Sequence, residues 1–350
     1  MSVANTPHSG AGDSARSAPE AQVAAWLRSH CGLDVTALEP ASEDASFRRY
    51  LRASLADGST RIVMDAPPEH EDSRPFVAIA VLLARAGLHV PRIYALDLTR
   101  GWLLLEDLGS TPYLDALARK PAAADRLYSN AIAALVTMQA RAERPAAVVP
   151  PFDAALLGRE LDLFPDWFCH RLLQRPLAAA ERSAWRRERQ WLIEMSLAAP
   201  QTLVHRDYHS RNLMVVGGDS CPGIIDFQDA VIGPVSYDLM SLLKDCYIVL
   251  DDGARRHYLN DYLERAAAAG VETGGREIFV DAFRRTGLQR HLKVAGIFSR
   301  LNFRDGKERY LRDLPVVLRY LRDALAEETE PLPFLTEFLG GCELPAACYR

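Results

Sequence analysis

The sequence has no apolar run long enough to span a bilayer and no excess of positive charge. Its 350 residues include 41 Lys and Arg against 46 Asp and Glu, a formal net charge of -5, so the balance does not indicate a nucleic-acid partner. Residues 1–19 lack the apolar core of a signal peptide and are rich in Ser, Ala and Gly. We expect a cytoplasmic protein without membrane or nucleic-acid partners, with a disordered tail over residues 1–19.

The cysteines show neither a C-x-x-C pair nor the regular spacing of a disulfide framework. They are Cys31, Cys169, Cys221, Cys246, Cys342 and Cys348. We expect reduced thiols, which agrees with a cytoplasmic location. At 350 residues, with 49% hydrophobic and 25% charged residues, the chain is long enough for two lobes with separate cores.

One short stretch carries a specific chemical pattern. His205-Arg206-Asp207 is followed by Asn212, and Asp226-Phe227 comes later, which is the spacing of a kinase catalytic loop followed by a metal-binding Asp. Phosphoryl transfer needs a carboxylate to orient the acceptor hydroxyl, and oxygen ligands to hold Mg²⁺ against the phosphates. The pattern predicts Asp207 as the catalytic base and Asn212 and Asp226 as the metal ligands.

The local sequence places these residues at the ends of strands. Residues 202–204 form a short β-prone run before Asp207, while residues 213–216 and 223–225 predict a hairpin around a Gly-Gly-Asp-Ser turn. Asn212 precedes one hairpin strand and Asp226 follows the other. Because these ends are adjacent in an antiparallel pair, we expect the two metal ligands to converge.

The N-terminal half contains a second predicted hairpin, with Asp57-Gly58 as its turn. In a kinase such a hairpin covers the ATP phosphates, but this one lacks a G-x-G-x-x-G loop. Small residues and backbone amides around Ala45 and Ser46 would have to cradle the phosphates instead. Arg48 and Arg49 either contact phosphate or form a solvated strand edge, and the sequence leaves both interpretations open.

The usual Lys–Glu pair of protein kinases is missing. Met64 occupies the expected lysine position, and the predicted helix over residues 75–86 has no acidic residue. Either Arg49 or Arg61 replaces the lysine, or phosphate binding depends on Mg²⁺ and backbone groups.

A buried strand from Trp102 ends in a polar, Gly-containing break at residues 106–109. This is where a two-lobed kinase binds adenine through the hinge backbone, so we predict nucleotide contacts at Glu106 and Leu108. The predicted fold is α+β and bilobal, with a small antiparallel-sheet N-lobe over residues 20–108 and a mainly helical C-lobe over residues 109–350.

The chain resembles the aminoglycoside phosphotransferase and choline kinase branch of the kinase-like fold over residues 203–243. The matching residues are the H-x-D-x-x-x-x-N loop, the I-D-F-x-x-A run at Ile225–Ala230, and Gly233, Asp238 and Leu239. Longer strings are similar to the bacterial N-acetylmuramate/N-acetylglucosamine anomeric kinases. They lie at residues 44–50, 64–68, 104–109, 164–167, 290–298 and 300–302.

This resemblance implies an ATP- and Mg²⁺-dependent enzyme that phosphorylates the anomeric hydroxyl of an amino sugar in peptidoglycan recycling, toward UDP-N-acetylmuramate. It also implies that Asp207 is the base, that Asn212 and Asp226 bind Mg²⁺, and that His205 and Asp238 support the loop. The implied substrate residues are Asp229, Arg211, Lys293, Arg300 and Asn302. Asp229 could equally be a surface residue, and Arg206 and Arg211 could neutralise phosphate or be solvated.

Two alternatives remain at the level of the sequence. The same fold could act on another small hydroxyl compound, such as an aminoglycoside, choline or a different sugar. The missing Lys–Glu pair instead favours a nucleotide-binding pseudokinase scaffold, although the intact base and metal ligands argue against it.

The aromatic cluster of Phe164, Trp167 and Phe168 is interpreted as part of the core, with substrate contact as the alternative interpretation. The oligomeric state is not predicted.

Overall fold

A computed structural model describes residues 14–42, 48–145, 147–217 and 221–349. The chain divides into two compact units. The first contains the described residues up to Val77 together with Pro91–Ser110, and the second contains Ala78–Val90 and the residues from Thr111 onward. Within the described ranges, no helix is both long and apolar enough to cross a membrane.

The first unit is built on one antiparallel five-stranded sheet, with strand order β1-β2-β3-β5-β4. Its strands are β1 (Val35–Ser42), β2 (Arg49–Leu55), β3 (Thr60–Asp65), β4 (Ile93–Asp97) and β5 (Trp102–Glu106). The predicted hairpin is confirmed, since β2 and β3 pair in register and Gly58 adopts a φ of 81° in the turn between them. Strands β1 and β4 were not predicted.

One helix covers a face of this sheet. Helix α1 (Ser14–Ser29) buries Val23, Trp26 and Leu27, whose exposed fractions are 3% or less. They share a hydrophobic cluster with Leu51 of β2 and other sheet residues. These three residues recur at the spacing of a helical turn, so they form the buried face of α1.

The second unit is mainly helical, as predicted. Helix α2 (Arg74–Arg85) continues into it from the first unit. Its longer helices are α3 (Tyr113–Arg119), α4 (Ala124–Arg141), α5 (Ala154–Leu163), α6 (Ala179–Ala198), α7 (Tyr237–Leu243), α8 (Asp252–Ala268), α9 (Arg276–Asp305), α10 (Leu314–Glu327) and α11 (Pro333–Gly340). Short 3₁₀ turns lie at Pro121–Ala123, Glu308–Asp313 and Ala346–Tyr349.

Four short strands lie between α6 and α7, and they form two separate antiparallel pairs. They are β6 (Gln201–Val204), β7 (Leu213–Met214), β8 (Gly223–Ile224) and β9 (Val231–Pro234). Strand β6 pairs with β9, and β7 pairs with β8. The predicted strand–loop–hairpin arrangement is confirmed, while β9 was not predicted.

Two local features lie where α5 packs against α9: a π-helix that follows α5, and a glycine of α9. A π-helix (Phe164–Leu172) continues directly from α5, with Pro165 in its first turn. Its residues Phe164 and Phe168 are 0% and 1% exposed, so these two aromatic side chains belong to the core. Gly296 of α9 lies against the backbone of Leu163, where an added Cβ would come within 2.5 Å. A glycine at this position allows the two helices to approach closely.

Candidate active site

The loop that contains Asp207 is held at both ends by buried carboxylates. At its start, Asp238 of α7 accepts the backbone N–H of His205 at 2.7 Å and of Arg206 at 3.0 Å. At its far end, Asp245 accepts the backbone N–H and the hydroxyl of Ser210, at 3.1 and 2.5 Å. These bonds pair donors that a loop would otherwise bury without partners.

His205 supports the loop as a neutral imidazole. Its Nε2–H donates to the carbonyl oxygen of Ile225 at 3.0 Å, and its Nδ1 accepts the backbone N–H of Asp207 at 3.3 Å. Burial lowers the pKa of His205 to about 4, which keeps Nδ1 free of a proton at neutral pH. The ring therefore connects the Asp207 backbone to the residue that precedes Asp226.

Two residues of the site have left-handed backbone conformations that non-glycine residues rarely adopt. Arg206 has a φ of 77° and Asp226 has a φ of 65°. Such strain persists only where the surroundings enforce it, and it is concentrated at functional sites. The Asp238 carboxylate accepts the backbone N–H groups of His205 and Arg206 and so holds the conformation at Arg206.

The β7–β8 hairpin brings Asn212 and Asp226 together, as predicted from its strand ends. Asn212 Nδ2 donates to Asp226 Oδ2 at 3.2 Å and to the Asp207 carbonyl oxygen at 2.9 Å. Gln228 Nε2 donates to the other oxygen, Asp226 Oδ1, at 2.9 Å. The Asp226 carboxylate is thereby oriented from both sides.

This pair fits a magnesium site by its donor chemistry. Mg²⁺ is bound in proteins by one or two carboxylates together with substrate phosphates and water. The Asn212 amide nitrogen already donates to protein oxygens, and in the described part of the chain its Oδ1 has no partner. One carboxylate and one amide oxygen are therefore present side by side.

Asp207 lies among positive charges of α9. Arg290 Nη2 is 3.6 Å from Asp207 Oδ1. Burial would raise the pKa of Asp207, but the charges of Lys293 and Arg290 lower it below its usual range. The carboxylate is therefore ionised at neutral pH and able to accept a hydrogen bond from an alcohol.

A second buried carboxylate, Glu160 of α5, binds the cations around it. Lys293 Nζ lies 3.0 Å from Glu160 Oε1, Gln289 Nε2 donates to Oε2 at 3.0 Å, and Arg206 Nη2 forms an ion pair with Oε1. Burial would raise the pKa of Glu160, but Lys293 and Arg206 lower it. The structure thus gives Lys293, predicted to contact substrate, a carboxylate partner inside the protein.

The other predicted substrate residues lie in different surroundings. Asp229 is exposed, and its carbonyl oxygen accepts Arg206 Nη1 at 3.2 Å. The guanidinium of Arg211 stacks on the Tyr247 ring, 3.6 Å from its centroid. Arg300 and Asn302 are two residues apart on α9, which separates them by about 200° around a helix, so the two do not share one face.

The predicted nucleotide residues are only partly described. Ala45 and Ser46 lie outside the described residues. Arg49 forms an ion pair with Asp65, and its own side chain is 47% exposed. Leu108 follows β5, and no partner for its backbone N–H or C=O is found in the described ranges. The Glu106 carboxylate accepts the backbone N–H of Arg92 at 3.2 Å.

Both arginines proposed to replace the missing lysine, Arg49 and Arg61, have contacts within the protein. Met64 is fully buried on β3. Arg61 donates to the carbonyl oxygen of Thr60 at 2.7 Å, and its guanidinium lies 4.7 Å from the centroid of the Tyr94 ring. Arg49 is bound to Asp65. Each therefore has a local role within the sheet.

Sequence reasoning did not single out Arg290 or Glu160 as residues of the site. The spacing offered one signal, because Arg290 and Lys293 are three residues apart and so lie on one face of a helix. Glu160 offered none, since it is 47 residues before Asp207 and approaches it only through the packing of α5 on α9.

The chain is similar to known kinases and phosphotransferases. An N-acetylmuramate/N-acetylglucosamine kinase of Pseudomonas aeruginosa is 48% identical over 294 residues, which cover 84% of this chain and 85% of that protein. The choline kinase LicA of Streptococcus pneumoniae shares the fold, with a TM-score of 0.60, 14% identity, and coverage of 87% of this chain and 99% of that one. An ADP-bound aminoglycoside phosphotransferase, APH(2'')-Ib, has a TM-score of 0.57 at 14% identity, with coverage of 87% and 99%.

These neighbours confirm the kinase-like fold predicted from the catalytic loop. The family model named the phosphotransferase enzyme family matches residues 37–272, a range that includes Asp207, Asn212 and Asp226. The chain therefore belongs to the phosphotransferase enzyme family.

Proposed function

We propose that this chain is an ATP- and Mg²⁺-dependent kinase that phosphorylates the anomeric hydroxyl of N-acetylmuramate and N-acetylglucosamine. This proposal depends most on the position of the Asp207 loop next to the Asn212–Asp226 pair. The Asn212 and Asp226 side chains are 3.2 Å apart, from Nδ2 to Oδ2. The printed name of the Pseudomonas aeruginosa relative supports the two sugars. The product would be a sugar 1-phosphate, which we assign to cytoplasmic cell-wall recycling toward UDP-N-acetylmuramate.

In the proposed reaction, the ionised Asp207 carboxylate accepts a hydrogen bond from the anomeric hydroxyl and turns its oxygen toward the γ-phosphorus of ATP. The carboxylate takes the proton as the new oxygen–phosphorus bond forms. The protein takes little part in the covalent chemistry. The main role of Asp207 is therefore to hold the hydroxyl in line with the γ-phosphorus. His205 accepts the backbone N–H of Asp207, and Asp238 holds the backbone of the two preceding residues, so both act by positioning Asp207.

Asn212 and Asp226 would hold the metal. When bound there, Mg²⁺ supplies positive charge that neutralises the phosphate oxygens. The protein's own contribution is to keep both ligands turned the same way, through the hydrogen bond between them and the bond from Gln228. We propose adenine contacts at Glu106 and Leu108, and phosphate contacts at Ala45, Ser46 and Arg49, from the resemblance to kinases.

The sugar contacts follow the charges of the site. A basic group suits the carboxylate of N-acetylmuramate. Arg211 and Arg300 are candidates because neither has an acidic hydrogen-bond partner in the described part of the chain, whereas Lys293 is bound to Glu160. Asp229 and Asn302 remain proposed polar contacts.

The proposal is tested by measuring ADP formation from ATP and Mg²⁺ with a panel of acceptors. The panel contains N-acetylmuramate, N-acetylglucosamine, choline, an aminoglycoside and the methyl glycoside of N-acetylglucosamine. The methyl glycoside is the matched control, because it keeps every other group of the sugar and lacks only the free anomeric hydroxyl. We expect turnover with the two free amino sugars and none with the glycoside.

Each of the other possible results would indicate a different function for this chain. Turnover with the methyl glycoside would place the transfer at another hydroxyl. Preference for choline or the aminoglycoside would make the chain a kinase of the same fold for a different acceptor. Nucleotide binding without turnover on any acceptor would favour a pseudokinase, which is the alternative that the buried Met64 supports.

A further inference from the structure

Arg290 is a buried cation for which the described part of the chain supplies no hydrogen-bond acceptor. Its side chain is 6% exposed, and its Nε is buried with no partner. Over the described ranges, no hydrogen bond is made by its guanidinium, which has five N–H donors. Buried polar groups in proteins are nearly always paired, and a buried charge is costly unless it is paired. An acceptor from outside the chain would complete this arrangement.

The two neighbouring cations, Lys293 and Arg206, each have a carboxylate partner at hydrogen-bond distance. Lys293, one turn away on α9, lies 3.0 Å from the Glu160 carboxylate. Arg206 is bound to the same carboxylate and to the carbonyl oxygen of Asp229. Glu160 is therefore the partner of both Lys293 and Arg206, and of these three described cations Arg290 is the one without a hydrogen bond.

The position of Arg290 indicates where its missing acceptor must lie. Its Nη2 is 3.6 Å from Asp207 Oδ1, which is within the range of an ion pair but too long for a hydrogen bond. The acceptor hydroxyl is expected at that carboxylate. An atom that accepts from Arg290 must therefore be close to the reacting hydroxyl itself, rather than on a remote part of the substrate.

A hemiacetal sugar has such an atom. Its ring oxygen is bonded to the same carbon as the anomeric hydroxyl, and it can only accept hydrogen bonds because it has no proton. A primary or secondary alcohol elsewhere on a sugar has no ether oxygen on its own carbon. We infer that Arg290 donates a hydrogen bond to the ring oxygen of the amino sugar and thereby selects the anomeric hydroxyl. This inference rests on the proposed function.

The step balances without any further reagent. The proton of the anomeric hydroxyl passes to Asp207 while the oxygen forms its bond to the γ-phosphorus. The bond from that phosphorus to the β-phosphate oxygen breaks, and ADP leaves with the electron pair. Asp207 then releases the proton to water. Arg290 stays protonated throughout, and by drawing electron density from the ring oxygen it makes the neighbouring hydroxyl easier to deprotonate.

The test compares Arg290→Gln with the wild-type enzyme on N-acetylglucosamine and on its carbocyclic analogue, in which a CH₂ group replaces the ring oxygen. We expect Arg290→Gln to lower kcat/KM for the sugar by about 10²-fold, as for the loss of one transition-state donor. The ratio of kcat/KM for the sugar to kcat/KM for the analogue should be about 10- to 100-fold lower in the variant than in the wild type. The reason is that replacing the ring oxygen removes a charge-assisted hydrogen bond from the wild-type complex, whereas the variant does not make that bond with either compound.

Arg304→Gln is the matched control. It removes another guanidinium from α9, but one that is 54% exposed and already bound to Asp305. We expect both its activity and its sugar-to-analogue ratio to equal those of the wild type. Arg290→Lys keeps the charge with a less directed donor, so its ratio should fall between those of the wild type and Arg290→Gln. If Arg290→Gln does not fold, Arg290→Lys is compared with the wild type in its place.

Several results would overturn the inference. An unchanged sugar-to-analogue ratio in the Arg290 variants would exclude the ring oxygen as the partner. Loss of activity on N-acetylmuramate alone would assign Arg290 to the lactyl carboxylate, and a raised KM for ATP alone would assign it to the nucleotide. Failure of the proposed function is a separate result, since the wild-type enzyme would then not phosphorylate the anomeric position of either sugar.

Discussion

Two arginines, one from each compact unit, have opposite surroundings. In the sheet unit, Arg52 is bound to both oxygens of Asp107, at 2.6 and 3.1 Å. In the helical unit, Arg290 is more deeply buried and yet has only a 3.6 Å approach to Asp207. Arg52 has its acceptor within the protein, whereas we propose that the acceptor of Arg290 is a ligand. The variants below test that distinction.

The largest effect is expected for Asp207→Asn. The change keeps the shape of the side chain but removes the charge that accepts the hydroxyl proton, so kcat should fall by about 10³- to 10⁴-fold. Nucleotide affinity, measured by calorimetry, should stay within a few-fold of the wild type because the metal ligands are intact. Wild-type turnover in this variant would remove Asp207 from the mechanism.

Asp226→Asn should have the next largest effect. Loss of a carboxylate ligand weakens the hold on Mg²⁺, and kcat/KM at a fixed magnesium concentration is expected to fall by about 10²-fold or more. Raising the magnesium concentration should recover part of the lost activity, unlike in Asp207→Asn. Identical magnesium titration curves for wild type and Asp226→Asn would contradict the assignment of this residue as a ligand.

Glu328→Gln tests a paired set of charges within the helical unit. Burial alone would raise the pKa of Glu328, but hydrogen bonds from Arg285 and Arg284 lower it to about 2. At pH 7 we expect the variant to lose about 2 kcal/mol of unfolding free energy, with unchanged kcat. The Glu328 carboxylate stabilises the fold above the unfolded pKa of about 4.3, and this stabilisation disappears as the pH falls toward 2.

The measurement is the difference in unfolding free energy between wild type and Glu328→Gln as the pH is lowered from 7. The difference should be constant down to about pH 4.3 and shrink below it. A difference that is the same at pH 7 and pH 3 would show that the ion pairs with Arg284 and Arg285 are not its source.

Arg52→Gln should have the smallest effect. It leaves Asp107, whose side chain is 6% exposed, without its guanidinium partner, and we expect a loss of about 1 kcal/mol in unfolding free energy. Arg52 binds Asp107 and Gly109, next to the proposed adenine contacts rather than at the Asp207 loop, so kcat should remain within about twofold of the wild type. A large loss of activity with unchanged stability would break the comparison between the two units.

The sequence predicted the parts of the site that depend on short-range geometry. Asp207, Asn212 and Asp226 lie within 20 residues of each other, and one hairpin with known strand ends determines how the last two meet. The hairpin of the first unit was predicted for the same reason, because Asp57-Gly58 defines its turn. Local turn chemistry is readable from sequence.

The unpredicted parts depend on tertiary packing. Glu160 and Arg290 come from helices separated by more than 100 residues, and they meet at the Asp207 loop because Gly296 lets α9 lie against the end of α5. The π-helix after α5 was also not predicted, since apolar periodicity does not distinguish its wider turns from an α-helix over so few residues. Strand β1 has eight residues but contains Pro40, which argues against a strand in the sequence. Strands β4 and β9 have only five and four residues, so they gave no clear pattern.

Phosphorus NMR of the product formed from N-acetylglucosamine, ATP and Mg²⁺ tests the central claim most directly. If Asp207 activates the anomeric hydroxyl, the new phosphorus signal will couple to the proton on the anomeric carbon, and the product will be a 1-phosphate. A signal coupled to the protons of the C6 methylene, or to another ring proton, would contradict it.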